Sequence, residues 1–397
     1  MTHQTAVVKR NIELLLMFPL VLLGKLAGKL FKLNTQHDLF LFYRCAEIGG
    51  ATKVNADIAE CMKDRKPLVI FTKKGKDDKF RDRFTIEGVR VLDLHKYLDN
   101  KYLYFLNFFF RGVFAAWINA AENPVVFGGE CIYFYKILPH LRKKVRTVEL
   151  CHVNRWYEYS RAFIKYMDVR IASTPQVKRD LEAIYQRDHI AQHYFDRLKF
   201  VDNKIDVPSA PTINDHPVLE VVFIGRGHPQ KRVHLIAATA QQLHAQQKPV
   251  HFSFVGDVEN LIPAEVQEYA VLYGNVRDPK KMEEIYAQSD VLILTSAFEG
   301  LPIVVMESMA RGKVVLSTAV DGIPDYVHHL GNGLLIYAKE EEKIVAEAVE
   351  LLDFLVANPE KRKAMGLRAY EFAKDHFSSE TFSNAYRDFL TNPGKPI

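Results

Sequence analysis

The chain has 397 residues, of which 48% are hydrophobic and 25% charged, and its formal net charge is +5. A chain of this length is too long for one ordinary hydrophobic core, so the composition predicts a globular protein of two domains. So small a basic excess argues against a nucleic-acid-binding protein, and it suits phosphorylated small molecules or an anionic membrane surface better.

An apolar and basic segment lies near the start of the chain. Residues 14–23 read LLLMFPLVLL, a run of ten apolar residues, which is about half of the ~20 residues that cross a bilayer. Three lysines follow at spacings of four and three, namely Lys25, Lys29 and Lys32. This spacing aligns their charges along one side of a helix. We therefore predict that residues 1–33 form a helix lying in a membrane interface; the alternative is that residues 12–33 pack against the protein.

Short β-type runs alternate with longer helical stretches from Asp38 onward. The runs are LFLFYR, PLVIFTK, VRVLDL, PVVFGG, RTVELCHV and VRIAST. This alternation predicts a parallel sheet with crossover helices, which we assign to a Rossmann-like domain over residues 34–205. Residues 102–118 are nearly all apolar, and Arg111 near their middle favours a buried crossover helix over a transmembrane segment. A lipid-facing patch on these residues is the alternative.

A change of composition marks the boundary to a second domain. Residues 206–217 contain three prolines and several turn formers, which is typical of a linker. The alternation then restarts with VLEVVFIG, PVHFSFVG, VLILTS and KVVLSTAV, so a second Rossmann-like domain is predicted over residues 218–376, followed by a C-terminal helix within 377–397. The predicted fold class is α/β, with two doubly wound domains facing a cleft in which ligands of such sheets bind.

Two glutamates lie in FEGLPIVVMESMARGK, directly after the strand-like VLILTS. Glu299 and Glu307 are separated by seven residues, and Pro302 between them suits the first position of a helix. The amides around residues 301–304 and the positive end of the helix dipole would then hold a phosphate or sugar oxygens. The alternative is a buried helix with one solvated or internally paired glutamate.

Residues 273–333 resemble the signature of the retaining group 1 (family 4) glycosyltransferases, with its E-x7-E element. The resemblance implies the GT-B fold, a nucleotide-binding second domain and an acceptor-binding first domain. It implies that Glu299 contacts the donor sugar and that Glu307 contacts the ribose hydroxyls. The backbone at Gly300, Leu301 and Pro302 would hold the sugar or the diphosphate.

Two cations in FIGRGHPQKR match the pair that neutralises the diphosphate in this family, Arg226 and Lys231. Breaking the bond between an anomeric carbon and a diphosphate leaves negative charge on the leaving group, which fixed cations stabilise. The alternative is a pair of surface charges, but cations are disfavoured at a helix start unless an anion is present. Asn275 and Val276 match the loop that faces the base.

The first domain contributes weaker matches. The turn at Gly49 and Gly50 follows the first strand, and the resemblance implies that it lies beside the donor phosphate. His152 ends RTVELCHV and resembles the histidine that many members point toward the donor sugar; a structural role is the alternative. Asp321 in AVDGIPD is a departure, because the family more often has two glycines followed by Ile-Pro-Glu.

The predicted function is retaining transfer of a hexose-type sugar from a nucleotide diphosphate sugar to a lipid-linked or lipopolysaccharide-type acceptor in cell-surface polysaccharide synthesis. No metal or other cofactor is expected, since no acidic cluster with the spacing of a metal site is evident. The four cysteines form no CxxC pair, so a reducing cytosol is expected, with the enzyme peripheral on the inner face of the plasma membrane. The alternatives are a nucleotide-sugar epimerase on the same fold and a non-catalytic, sugar-binding membrane scaffold.

Overall fold

The computed structural model describes residues 2–33 and 37–391. The chain divides into two compact units, one of Met1–Asn203 with Glu380–Ile397 and one of Lys204–Ser379. The last six residues of the segment predicted to hold the C-terminal helix, 392–397, lie outside the described part.

The first unit is built on a seven-stranded, all-parallel sheet of order β3-β2-β1-β4-β5-β6-β7. Its strands are β1 Leu39–Tyr43, β2 Leu68–Phe71, β3 Arg90–Asp93, β4 Val125–Gly128, β5 Arg146–Cys151, β6 Val169–Ala172 and β7 Leu198–Phe200. Its helices up to the linker are α1 His3–Leu16, α2 Phe18–Leu30, α3 Gly50–Cys61, α4 His95–Leu98, α5 Tyr104–Ala120, α6 Ile132–Ile137, α7 Tyr157–Ser160 and α8 Pro175–Arg187.

Strand β1 shows why this sheet is covered on both faces. All five of its residues are buried. Phe40 and Phe42 belong to one hydrophobic cluster with Phe114 of α5. Leu41 and Tyr43 belong to a second cluster on the other face. Successive side chains of a strand point to opposite faces, so a doubly covered parallel strand is apolar throughout.

The second unit has a six-stranded parallel sheet of order β10-β9-β8-β11-β12-β13. The strands are β8 Leu219–Ile224, β9 Val250–Val255, β10 Val271–Gly274, β11 Val291–Leu294, β12 Val314–Thr318 and β13 Gly333–Ile336. The helices are α9 Val233–Ala245, α10 Ala264–Gln267, α11 Pro279–Gln288, α12 Ile303–Ala310, α13 Glu341–Ala357 and α14 Pro359–His376. The predicted pair of doubly wound α/β units is thus confirmed.

The last helix, α15 Ser379–Leu390, returns to the first unit. It contributes Phe382, Tyr386 and Leu390 to the hydrophobic cluster that contains Leu41 and Tyr43. The first unit is therefore discontinuous in sequence, because its core includes a helix that follows the second unit along the chain.

The prediction of a single N-terminal helix is wrong. The segment forms two helices, α1 and α2, which meet at Met17. Pro19 explains the break, because a proline lacks the amide hydrogen that a helix interior needs and is tolerated in a first turn. Pro19 accordingly lies in the first turn of α2.

Helix α2 packs against the apolar crossover helix α5 with their backbones in contact. A β-carbon built on Gly24 would come 1.9 Å from the carbonyl oxygen of Phe109, and one on Gly112 would come 2.1 Å from that of Val21. Gly28 lies one turn after Gly24 and meets the backbone of Val113 in the same way. Small residues four apart allow this approach. One face of the N-terminal segment is thus an internal packing surface.

The opposite face of the two helices is apolar and exposed, and we call it the N-terminal apolar surface. Its large exposed side chains are Ile12, Leu15, Leu16, Phe18, Leu22, Leu23, Leu26, Leu30 and Phe31. Lys29 and Lys32 are exposed beside it. The segment therefore packs against the protein on one face, as the alternative interpretation expected, while contact of the exposed face with a membrane stays a prediction.

Helix α5 connects β3 to β4 and buries Phe108, Phe114 and Ile118. In the described part of the chain, Lys101–Ala120 is the one helical stretch long and apolar enough to cross a membrane by length and composition. Its buried residues and its position along the chain between β3 and β4, two strands of the first sheet, make it a crossover helix of that sheet.

Candidate active site

The strand order of the second unit brings the ends of β8 and β11 together. In this sheet β8 and β11 are neighbours, while β9 and β12 flank them on either side. The chain thus leaves these two strands in opposite directions across the sheet, which is the topological switch point where open α/β sheets bind ligands. Arg226 and Lys231 follow β8, and Glu299 follows β11.

The structure joins two of the predicted site residues directly. The Nζ atom of Lys231 donates to Oε1 of Glu299 at 2.5 Å. Both side chains are largely buried, with 15% and 9% exposed. A partly desolvated ion pair of this kind fixes the position of both groups. The cation predicted to face a diphosphate and the carboxylate predicted to face a sugar are therefore in direct contact.

Gln230 and Arg232, which the sequence analysis did not identify, fasten the two loops that carry this pair. The Nε atom of Arg232 donates to the carbonyl oxygen of Thr295 at 2.6 Å, and its Nη2 donates to that of Ser296 at 2.9 Å. The side-chain amide of Gln230 donates to the carbonyl oxygen of Phe298 at 2.7 Å. The loop after β8 is thereby held against the loop after β11.

Arg226 lies at the tip of a glycine turn. A β-carbon on Gly227 would come 2.1 Å from the carbonyl oxygen of Asp257, and one on Gly256, which has φ +129°, would come 1.8 Å from that of Gly225. Only glycine allows the ends of β8 and β9 to approach this closely. The Arg226 side chain is exposed and forms no ion pair within residues 2–33 and 37–391.

Helix α12 begins one residue later than predicted. Pro302 is the residue before the helix, with an extended ψ of 134°, and Ile303 is its first helical residue. The carbonyl oxygen of Pro302 accepts from the amide of Val305 at 3.0 Å, and no side chain caps the helix. The amino end of α12 still follows Gly300 and the buried Leu301 directly.

Glu307 is held by a tyrosine that the sequence analysis missed. Its Oε2 accepts from the hydroxyl of Tyr286 at 2.8 Å. Burial, reinforced by Glu307, raises the pKa of Tyr286 well above its usual value, so the hydroxyl remains a donor. Glu307 therefore has the internal partner that the alternative interpretation expected, and this contact also orients the carboxylate.

Asp321, the departure from the family pattern, positions Glu299. It has φ +43°, and its Oδ2 accepts from the backbone amide of Glu299 at 2.7 Å. Asn275 and Val276 follow β10 at the same edge of the sheet, where the carbonyl oxygen of Gly274 accepts from the amide of Gly256 at 2.8 Å.

The remaining predicted residues lie in the first unit. Gly49 precedes α3, and a β-carbon there would meet no atom within 4 Å. His152 follows β5, and its Nε2 is buried without a hydrogen-bond partner in the described part of the chain. Burial lowers the pKa of His152 to about 4, so the ring is neutral at neutral pH. No group of three or more His, Cys, Asp or Glu side chains able to hold a metal ion occurs among the described residues.

The second unit matches a family model described as "Glycosyl transferases group 1" over residues 219–353. A Klebsiella pneumoniae relative, an uncharacterized 41.2 kDa protein in the cps region, is 22% identical over 293 residues, covering 71% of this chain and 75% of the relative. A putative colanic acid biosynthesis glycosyltransferase of Salmonella typhimurium, WcaL, is 23% identical over 207 residues. The match covers 49% of this chain and 48% of that relative.

The fold is also similar to that of Anabaena HepE in complex with UDP. The TM-score is 0.68 at 16% identity, and the match covers 90% of this chain and 99% of that one. At this identity the likeness concerns the fold alone. The likeness to HepE shows the GT-B fold. The family model and the named relatives show that the second unit is a group 1 glycosyltransferase domain and that the protein is an enzyme that transfers sugars.

Proposed function

We propose that the enzyme transfers a hexose-type sugar, with retention, from a nucleotide diphosphate sugar to a membrane-linked glycan or lipid during cell-surface polysaccharide or lipopolysaccharide synthesis. The observation that carries the donor assignment is the contact between Lys231 and Glu299 at the switch point of the second sheet. HepE, which has the same fold, is complexed with UDP. WcaL, a relative, is named for colanic acid biosynthesis.

Transfer breaks the bond between the anomeric carbon and the diphosphate oxygen, whose electron pair stays on the diphosphate. The acceptor oxygen bonds to the same carbon and passes its proton to the departing diphosphate oxygen. Arg226 and Lys231 stabilise the developing negative charge, and the water-poor setting of Lys231 makes its contribution larger than in solution. These cations supply the charge compensation that a divalent ion supplies elsewhere, so we propose a reaction without a metal.

Glu299 would bind the donor sugar and Glu307 the ribose. The Lys231 side chain binds the Glu299 carboxylate, and the Asp321 carboxylate accepts from the Glu299 backbone amide. Tyr286 holds Glu307. Preorganised groups of this kind cost no reorganisation when the ligand binds. For Gly49, Gly50 and His152 of the first unit, the family resemblance implies roles in donor binding, and these roles stay predictions.

We propose that the acceptor is reached at a membrane. The N-terminal apolar surface is too large to be a scatter of single exposed residues, and exposed lysines border it. Apolar side chains flanked by lysines match the interface of an anionic bilayer, in which the helices lie flat while the sheets stay in water. The expected location is the inner face of the plasma membrane.

A thermal-shift panel with UDP, GDP and ADP tests the donor site. A bound nucleotide raises the unfolding midpoint by mass action, so one of the three should do so. Lys231→Ala should weaken that nucleotide about 10- to 100-fold, since a hydrogen bond to a charged group contributes about 1.5–3 kcal/mol. Lys248→Ala is the matched control, because Lys248 precedes β9 at the opposite edge and pairs with Asp353. Equal binding by both variants would remove Lys231 from the site.

The reaction itself is tested with the matching nucleotide sugar and acceptor-bearing membranes. Retention predicts a product whose anomeric configuration, measured by NMR, equals that of the donor. An inverted product contradicts the stereochemical proposal. Epimerised donor in the absence of any acceptor would instead identify an epimerase, and nucleotide binding without turnover would identify a binding protein.

A further inference from the structure

A cavity of about 250 Å³ lies at the carboxyl edge of the first sheet. The ends of β1, β2 and β4 contribute Arg44, Lys73 and Glu130, and Tyr104 of α5 and Trp156 line it further. Strands β1 and β4 are neighbours, while β2 and β5 lie on their outer sides. The cavity is therefore at the switch point of this unit, where ligands of such sheets bind. The family resemblance assigned none of these residues.

Two cations are held side by side at the rim of this cavity. Arg44 follows β1 and Lys73 follows β2. The backbone amide of Lys73 donates to the carbonyl oxygen of Arg44 at 2.8 Å, which ties the two strand ends together. The Lys73 side chain has no ion pair in the described part of the chain, and Arg44 reaches Glu47 only at 3.4 Å with about half of its side chain exposed.

Two other cations of the lining are already paired. Arg111 and Lys136 both bind Glu13 of α1. Two acidic residues line the cavity: the Oδ2 atom of Asp99 accepts from the backbone amide of Lys74 at 3.2 Å, and Glu130 lies in the wall, where Arg44 acts on it electrostatically. Arg44 and Lys73 are thus the cations left to meet an anionic group in the cavity.

Two polar atoms in the wall are buried without a partner. They are Oε1 of Glu130 and the hydroxyl of Tyr133, neither of which has a hydrogen-bond partner within the described residues. A buried polar group left unpaired costs about 1–3 kcal/mol, so such groups usually meet a ligand or water. Glu130 has φ +52°, and the preceding Gly129 lies against the carbonyl oxygen of Leu150, so the turn is fixed. Tyr104 and Trp156 add aromatic surface for a sugar ring.

We propose that this cavity binds an anionic acceptor sugar, whose hydroxyls meet Glu130 and Tyr133 and whose phosphate or carboxylate group meets Arg44 and Lys73. The proposal rests on the proposed function, because a transferase needs a site for the sugar that it extends. It adds the chemical class of that acceptor and the residues that select it.

Saturation-transfer NMR titrations with glucose 1-phosphate, glucuronate and glucose test this site in the full chain. At least one anionic sugar should bind ten or more times tighter than glucose, and which of the two does so identifies phosphate or carboxylate as the anion. The double variant Arg44→Ala/Lys73→Ala should lose this preference. Lys74→Ala is the matched control, since it removes a neighbouring charge that does not line the cavity.

Glu130→Gln tests the hydroxyl contact and should weaken all three sugars several-fold, while the rim cations still favour the anionic ones. Equal affinity of glucose and both anionic sugars for the wild type overturns the proposal, as does an unchanged preference in the double variant. The nucleotide panel is run on the same samples. If the variants lose nucleotide binding and keep sugar binding, the cavity serves the donor and the proposal is wrong. If no nucleotide binds the wild type, the proposed function fails separately.

Discussion

Replacing two leucines of the N-terminal apolar surface should release the enzyme from membranes. Leu15 and Leu30 are 77% and 78% exposed. Burying a whole leucine side chain contributes about 1.5–3 kcal/mol, so three quarters of one contributes about 1–2 kcal/mol. Leu15→Ser with Leu30→Ser should therefore cost about 3 kcal/mol of bilayer binding. Since 1.4 kcal/mol is a factor of ten, the partition coefficient should fall about 100-fold.

The assay is cosedimentation with liposomes of phosphatidylcholine and phosphatidylglycerol. Leu367→Ser is the control, because Leu367 lies on α14 of the second unit and is also exposed, at 44%. Lys29→Ala should cost about 1 kcal/mol on anionic vesicles and little at high salt. Point substitutions are preferable to deleting residues 1–33, since the deletion would uncover the face of α5 that Gly24 and Gly28 cover. Wild-type binding by the double leucine variant would refute the membrane assignment.

Three further outcomes are expected. Glu307→Ala should abolish transfer while circular dichroism shows an intact fold, and an undiminished rate would exclude Glu307 from the site. Tyr286→Phe removes one hydrogen bond to Glu307 and should lower kcat/KM up to about tenfold. A chelator should leave the rate unchanged, whereas inhibition reversed by magnesium would contradict the metal-free proposal. Burial raises the pKa of Glu130 from 4.5 to about 7; Glu149 adds to this rise, and Arg44 opposes it. Between pH 4.5 and 7 the folded protein therefore holds a proton that the unfolded chain has lost. The free energy of unfolding falls as the pH rises through this range. Glu130→Gln should therefore raise the free energy of unfolding at pH 8 by up to about 3 kcal/mol and leave it unchanged at pH 4; an equal gain at both pH values in denaturant titrations would contradict this.

The sheets could be predicted because their strands are buried on both faces. The run VLIL of β11 is apolar at every position, as expected of a strand buried on both faces. The position of Glu299 after that run, at the carboxyl end of β11, followed directly. The break at Met17 was also readable, since Pro19 lies inside the apolar run. The spacing of Gly24 and Gly28 likewise carried information on helix packing.

The contacts that hold the site could not be predicted in the same way. Arg232 binds carbonyl groups 63 and 64 residues away. Tyr286 meets Glu307 across 21 residues and from another helix. No local pattern marks such pairs, because they depend on how α9, α11 and α12 pack on the sheet. The unpaired atoms of Glu130 and Tyr133 belong to the same class, since burial without a partner is a property of the folded chain alone.

Asp321 departs from the family pattern and makes a contact that a glycine could not make. A position with φ +43° favours glycine, and aspartate is among the few residues that adopt it at modest cost. In return its carboxylate accepts the amide of Glu299, which a glycine could not do. This contact fixes the backbone while Lys231 fixes the side chain. The Asp321 carboxylate repels a diphosphate bound at the proposed site. We therefore expect Arg226 and Lys231 to contribute more to diphosphate binding in this chain than in one with glycine at position 321.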